Sequence, residues 1–240
     1  MTLKLSVLFL TPLLSGLLIY LVKNFKSTNF KLLLVFAGAY LFGITVVHIL
    51  PELYRENQEI ELIGLFVLIG FFLQQVLDFF GSGVEHGHIH VHEHGKSALV
   101  LLIALCVHAF LEGGMLVESS HGDYDSNAIL LGIALHRAPA AFALMTVLGA
   151  QLHSRTKALP YLLGFSLAAP IGLLLSTYFV QTETLSEKGL IFLYALVCGN
   201  FLHISTTIVF ESSPEHRFNA RKLAVAVVGA LGAVAVEYMI

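Results

Sequence analysis

The sequence predicts an all-α integral membrane protein with eight transmembrane helices. Of the 240 residues, 57% are hydrophobic and only 12% are charged, whereas roughly a quarter of the residues in a soluble domain are charged. Apolar stretches recur along the whole chain, each close to the ~20 residues that a helix needs to cross a bilayer. Each stretch must be a helix, because only a helix satisfies its own backbone polar groups within one segment in hydrocarbon.

The predicted spans form one transmembrane domain over residues 1–240. They cover residues 5–22, 32–50, 61–80, 97–117, 127–150, 158–181, 189–210 and 223–239. The first span also has features of a secretory signal. This interpretation is not favoured, because no small-residue cleavage site follows the span and seven more apolar spans come after it. Cys106 and Cys198 both lie inside spans, so they indicate no disulfide framework.

Basic residues in the connections predict the orientation. Nine lysines and arginines lie in the connections that follow odd-numbered spans, against three on the opposite side, Lys4, Arg55 and Lys188. The positive-inside rule then places both termini outside and the connections after odd-numbered spans in the cytoplasm. With a net charge of −3 and no basic face, the chain is not expected to bind nucleic acid.

Two short segments repeat at a constant offset of 161 residues. GAYLFGIT (38–45) and GNFLHIST (199–206) share a glycine, an aromatic residue, a leucine and a threonine. The first lies in span 2 and the second in span 7, which cross in opposite directions. Inverted repeats of this kind are common in secondary transporters.

Ionisable residues at membrane depth indicate a functional site. In span 4, His108 and Glu112 are four residues apart and therefore share one helix face. His136 in span 5 lies at a similar depth, ~13 Å from the outer end of its helix. Two nitrogens and an oxygen suit Zn²⁺, and also Fe²⁺, Mn²⁺ or Cd²⁺. Pro139 frees a backbone carbonyl in span 5, one turn before it.

The sequence resembles the ZIP family of divalent metal transporters. Span 4 matches the family's H-x-x-x-E-G signature with His108, Glu112 and Gly113, span 2 ends HILPE (48–52), and span 5 reads HRAPAAF (136–142). The resemblance implies eight spans in a 3+2+3 arrangement, termini outside, and a histidine-bearing cytoplasmic loop. It also implies that Tyr40 faces the site. A homodimer is an open alternative to a monomer.

The chain departs from that family where a second metal site is usual. Ala140, Ala109 and Ala169 replace ligands of many members, and Arg137 stands at another such position. We interpret Arg137 as a built-in counter-charge that takes the place of a second cation beside Glu112, since a guanidinium has no lone pair to offer a metal. The alternative is that Arg137 binds backbone carbonyls or extends towards the interface.

Further polar residues predict a path on either side of this site. His48 and Glu52 lie towards the outer end of span 2. Asn200, His203 and Glu211 in span 7, with Asp78 in span 3, lie towards the cytoplasm. Each of these alone is equally compatible with a solvated side chain at the interface.

Two connections are rich in candidate metal ligands. The cytoplasmic loop at about 81–96 has five alternating histidines, which bind Zn²⁺ or Ni²⁺ readily in their neutral form: His86, His88, His90, His92 and His94. The outer connection between spans 4 and 5 contains Glu118, His121, Asp123 and Asp125 and no basic residue. It is either a cation-collecting mouth or an ordinary polar loop.

The expected function is uptake of a divalent metal, with Zn²⁺ favoured, by alternating access across a plasma (inner) membrane. No cofactor and no enzymatic activity are expected, and the partners are the transported ion and the bilayer. Two alternatives are a cation-diffusion-type exporter, which typically has six spans and a soluble domain, and an intramembrane zinc hydrolase. The hydrolase needs an open water position and a general base beside a fixed ion.

Overall fold

The computed structural model describes residues 1–21, 27–55, 60–81, 83, 97–117, 126–211 and 219–239. The regular structure in these ranges is helical, and eight long helices follow one another along the chain. They are α1 (Thr2–Leu17), α2 (Ser27–Ile44, continued to Arg55), α3 (Ile60–Gly81), α4 (Ala98–Gly114), α5 (Ser126–Gln151), α6 (Arg155–Gln181), α7 (Glu187–Glu211) and α8 (Ala220–Met239). Each coincides with one predicted span.

Seven of these helices are long and apolar enough to cross a membrane, and α4 is slightly shorter. With 17 residues, α4 spans about 26 Å, a little under the ~30 Å of a hydrocarbon core. It begins after Ser97, whose hydroxyl accepts a hydrogen bond from the Val100 amide. The predicted end at residue 117 is wrong, because the helix stops after Gly113 and Gly114, which disfavour helix continuation.

Two side chains from other helices bind the carbonyls that follow α4. Lys4 Nζ donates to the Leu116 carbonyl at 3.1 Å, and the Tyr194 hydroxyl donates to the Val117 carbonyl at 2.9 Å. These carbonyls lack partners within α4 because the helix has ended. The contacts therefore fix the end of α4 between α1 and α7.

The second span contains a π-helical turn. The α-helical part ends at Ile44, Thr45–Ile49 forms a π turn that includes His48, and Leu50–Arg55 continues as α-helix. Pro51 has no amide hydrogen to donate one turn back, and Leu50 instead donates to Thr45 across five residues. Such turns locally widen a helix and are frequent at functional sites.

The surface of α3 shows the polarity expected of a membrane helix. Leu65, Phe72 and Phe79 are exposed, whereas the polar Gln74 is completely buried. In water this would place large apolar side chains against solvent, but lipid is the natural neighbour of such a surface. The exposed and buried sides of α3 thus agree with the predicted membrane location.

The helices pack as two groups of four. In one group α1 packs on α5 and α6, and α4 packs on α6; in the other α2 packs on α7 and α8, and α3 packs on α7. These packed pairs are symmetric. The same set of pairs results when each helix is exchanged for a counterpart, with α1 for α6, α2 for α7, α3 for α8 and α4 for α5. This is the packing that an inverted repeat produces.

Glycines allow two helix pairs to approach closely. A Cβ atom on Gly113 of α4 would collide with the Ala169 carbonyl of α6, and one on Gly172 would collide with the Phe110 carbonyl in return. Gly70 of α3 and Gly199 of α7 stand against each other's helices in the same reciprocal way. Small residues at such interfaces let membrane helices associate through backbone contact.

Candidate metal centre

His108 and Glu112 lie one turn apart on the buried face of α4. Their side chains are 2% and 0% exposed, and His108 Nε2 lies 3.0 Å from Glu112 Oε1. The four-residue spacing places both on one helix face, as predicted. Because Gly113 seats the next turn directly on α6, the position of Glu112 is fixed by backbone packing as well as by its own side chain.

His136 of α5 completes a group of three. The His108 and His136 rings are 6.0 Å apart at an interplanar angle of 88°. One potential ligand atom from each of the three side chains lies within 4.8 Å of the others, and all three residues are buried. In the part of the chain that the structure describes, this is the one group of three or more such residues close enough to hold a metal ion.

The helices α4 and α5 are neighbours, but they pack on each other less than on other helices. The two helices contact each other over only a short stretch, because α4 lies mainly along α6 and α5 mainly along α1. The short stretch nevertheless brings His136 towards His108. On the other side of α5, the Ser15 hydroxyl of α1 donates to the Ala138 carbonyl, close to Pro139.

Arg137 is completely enclosed beside this group. Its Nη2 atom donates to the Phe165 carbonyl at 2.8 Å, and its Cζ atom lies 4.8 Å from the centroid of the Phe165 ring. Its Nε atom lies 3.9 Å from Glu112 Oε2. Features of both interpretations are therefore present, namely a carbonyl contact and a positive charge facing the carboxylate.

The arrangement has the chemistry of a divalent-cation site. Two imidazoles and a carboxylate supply three ligand atoms, and a tetrahedral zinc ion would hold them about 3.3–3.5 Å apart with bonds of about 2.0–2.2 Å. Small side-chain movements are enough to reach those separations from the present ones. The Arg137 guanidinium adds a positive charge 3.9 Å from the Glu112 carboxylate, which would repel a cation placed there.

The predicted inner residues Asp78 and His203 contact each other directly. Asp78 Oδ2 lies 2.8 Å from His203 Nε2, and Gln74 donates to the other Asp78 oxygen at 3.2 Å. The edge of the His203 ring meets Phe71 at a centroid distance of 4.9 Å. The sequence placed both residues towards the cytoplasm in two different spans, and the structure brings them into contact.

Asn200 and Tyr40 make backbone contacts in the interior. The buried Asn200 amide, in its hydrogen-bonding orientation, donates to the Gly70 carbonyl of α3 at 2.5 Å. The Tyr40 hydroxyl donates to the Ala128 carbonyl of α5 at 3.4 Å. Roles of these two residues in ion movement stay predictions.

His48 lies between two carboxylates. It belongs to the group of α2, α3, α7 and α8, at the end opposite Asp78 and His203. His48 Nε2 is 3.5 Å from Glu52 Oε2, and His48 Nδ1 is 2.8 Å from Glu237 Oε2. Sequence reasoning missed Glu237. The available signal is an acidic residue inside the apolar eighth span, although a charged residue near a helix end is usually solvated.

Several candidates lie outside the described residues. They are the loop histidines at 86, 88, 90, 92 and 94, the outer connection with Glu118, His121, Asp123 and Asp125, and the side chain of Glu211. Their roles stay predictions.

Known proteins resemble this chain over most of its length. The model of the family described as ZIP Zinc transporter matches residues 81–236. Zinc transporter ZIP9-A of Xenopus laevis is 27% identical over 243 aligned positions, covering 80% of this chain and 78% of the relative. Zinc transporter ZIP9 of Micropogonias undulatus is 30% identical over 162 positions, covering 61% and 50%. The family match includes α4 and α5, and therefore all three residues of the buried group.

Proposed function

Because this chain belongs to the ZIP family of zinc transporters, we propose that it moves Zn²⁺ into the cytoplasm through a site formed by His108, Glu112 and His136. The family assignment confirms the resemblance found in the sequence and makes the chain a multi-pass membrane protein of a divalent-metal transport family. The proposal depends above all on one observation, the convergence of three buried ligand atoms within 4.8 Å from two helices.

The proposed path uses both groups of helices. Ions enter near His48 and Glu52, bind at the central site, and leave past His203 and Asp78. The central ligands belong to the group of α1, α4, α5 and α6, whereas both flanking pairs belong to the group of α2, α3, α7 and α8. Movement of one group against the other would expose the central site to each side in turn, as alternating access requires.

The predicted orientation and the membrane potential support the proposed direction of transport. The positive-inside rule places the His48 end of α2 outside and the Asp78 end of α3 in the cytoplasm, in a plasma (inner) membrane. The negative potential inside a cell attracts a divalent cation with ~2.3 kcal/mol per elementary charge per 100 mV. Uptake therefore needs no nucleotide, and the sequence shows no nucleotide-binding motif.

We further propose that the central site takes one ion at a time because Arg137 supplies the charge of the second. Its guanidinium lies 3.9 Å from Glu112 and is held by the Phe165 carbonyl. Replacing Arg137 by aspartate would turn a repelling group into a ligand. The expected result in purified protein is one additional zinc ion per chain; an unchanged stoichiometry in a folded variant would contradict the counter-charge role.

The direct test is zinc flux into proteoliposomes. Wild-type protein should accumulate radioactive zinc, and His108→Ala should not, because only two of the three proposed central ligands would remain and the central affinity for zinc would fall. A hydrolase would lose lipid or peptide cleavage in this variant and show no flux in either form. Expression in whole cells separates import from export, since an importer raises cytosolic zinc and a cation-diffusion-type exporter lowers it.

A further inference from the structure

We propose that the outer end of α2 is a second divalent-cation site, in which His48 Nε2 and the Glu52 carboxylate are the ligands and Glu237 positions the His48 ring. This inference deepens the proposed function, because an ion held here would be on its way to the central site. Glu237 of α8 lies outside the proposed ion path.

The two nitrogens of His48 have different partners. His48 lies in the π turn of α2 and is 9% exposed, and Glu52, 6% exposed, follows one turn later. The 2.8 Å contact joins Nδ1 to Glu237 Oε2. An ionised carboxylate only accepts hydrogen bonds, and a neutral imidazole has a single N–H. In a neutral ring, the contact therefore assigns the proton to Nδ1 and leaves the Nε2 lone pair directed towards Glu52.

The space between His48 Nε2 and Glu52 fits a cation. The two atoms are 3.5 Å apart, and among the described residues this buried nitrogen has no hydrogen-bond partner. Two lone-pair atoms that face each other without a hydrogen repel. A zinc ion with bonds of about 2.0–2.2 Å in tetrahedral geometry holds its ligands about 3.3–3.5 Å apart, so it would bind both atoms with little rearrangement.

Glu237 has the position of an orienting carboxylate rather than a ligand. Histidines that bind metals commonly donate their second N–H to a carboxylate, which fixes the ring and makes the coordinating nitrogen more basic. Glu237 contacts His48 on the side away from Glu52, and its side chain is 25% exposed. It reaches His48 from α8, so the site depends on the packing of α8 against α2.

Two protein ligands make a site from which the ion can leave. Water would complete the coordination shell, whereas the central site offers three protein ligands. Conduction through successive sites needs binding that is favourable enough to attract the ion and weak enough to release it. The outer site meets that need because it lacks a second imidazole.

The test measures zinc binding by isothermal titration in detergent-solubilised full-length protein. The background carries His108→Ala and Glu112→Ala, with serine at the five loop histidines, so that neither the central site nor the loop contributes. We expect one zinc ion per chain on this background, lost in His48→Ala. Glu237→Gln should weaken it about 10- to 100-fold, with Glu237→Asp restoring part of the affinity.

The matched control is Glu61→Gln, which removes an exposed carboxylate at the start of α3 and should leave the affinity unchanged. No zinc bound to the folded background, or equal affinities for Glu237→Gln and the control, would overturn the inference. The same results would be expected if His48 were doubly protonated and bridged Glu52 and Glu237 without a metal ion. Unfolding of His48→Ala would not affect the Glu237 comparison, whose variants keep both ligands.

Uptake assays keep this inference separate from the proposed function. With the central site intact, Glu237→Gln should raise the KM for zinc uptake and leave the maximal rate close to wild type. If wild-type protein transported no zinc, the proposed function would fail, while the binding result on the background variant would stand by itself.

Discussion

The central and outer groups are two versions of the same helical pair. His108 and Glu112 in α4, and His48 and Glu52 in α2, each set an imidazole and a carboxylate four residues apart. In the centre a second imidazole, His136 of α5, approaches the His108 ring to a centroid distance of 6.0 Å. At the outer end a carboxylate approaches from α8 on the opposite side of the ring.

The four-residue spacing alone therefore does not determine the chemistry of a histidine–glutamate pair. On our proposals, the residue supplied by the neighbouring helix decides whether the pair becomes a three-ligand site or a two-ligand site with an oriented histidine. The environment adds a second difference, since the central pair has the Arg137 guanidinium beside its carboxylate. The centre also lies within the residues matched by the family model, 81–236, and the outer group lies outside them.

The largest expected effect comes from removing the third central ligand. His136→Ala would leave a two-ligand pair like the outer one, so zinc affinity at the centre should fall more than about 100-fold and uptake should be lost. Equilibrium binding and proteoliposome flux measure the two quantities. His153→Asn is the control, because it removes a histidine in the α5–α6 turn at a positive φ of 49° that asparagine tolerates. Equal losses in both variants would refute the ligand role.

The next effect concerns the charge beside the centre. Arg137→Gln removes a cation that faces the bound ion, so the affinity of the central site for zinc should rise at least about tenfold. Release should slow, and the maximal uptake rate should fall. Phe165→Leu removes the stacked ring but keeps the guanidinium, and should change the affinity much less. If affinity is the same in Arg137→Gln and wild type, the arginine is a packing residue.

A smaller effect is expected from the packing of α4 on α6 next to the central site. A methyl group on Gly113 would collide with the Ala169 carbonyl, and overpacking of this kind costs about 1–3 kcal/mol. Gly113→Ala should therefore lower the melting temperature in detergent by several degrees and weaken central zinc binding. Gly164→Ala serves as control, since a methyl group there meets only Leu102 at 3.7 Å. Equal melting temperatures for the two variants would argue against the α4–α6 contact.

The smallest effect is expected from the histidine-rich loop. Deleting residues 85–94 removes the five loop histidines, which are predicted to bind zinc in the cytoplasm, but leaves all three proposed central ligands in place. Zinc uptake measured in cells should stay within a few-fold of wild type. Complete loss of uptake in a correctly folded deletion would show that the loop belongs to the transport path.

Much of the architecture could be predicted from the sequence because hydrocarbon imposes strong rules on it. Apolar length and the scarcity of charge determine where helices lie, and every predicted span coincides with a helix. The end of α4 could not be predicted in this way, because hydropathy continues through Met115–Val117 while the helix stops. That end depends on two glycines and on carbonyl contacts from Lys4 and Tyr194.

The site was predictable where one helix supplies both residues. Helical periodicity is enough to pair His108 with Glu112, and equal depth was enough to suggest His136. The packing of α4 on α6 was not visible, because reciprocal glycine contacts depend on the register between helices. Glu237 was missed for a similar reason, since only the packing of α8 against α2 shows that its carboxylate meets His48.

The central claim is that His108, Glu112 and His136 together hold one zinc ion. Zinc K-edge X-ray absorption would test it most directly, on full-length protein with serine at the loop histidines and His48→Ala, loaded with one equivalent of zinc. The expected spectrum shows two imidazole ligands with Zn–N distances of about 2.0–2.1 Å. In His136→Ala the number of imidazole ligands should fall to one. A spectrum without imidazole scattering, or one that His136→Ala leaves unchanged, would contradict it.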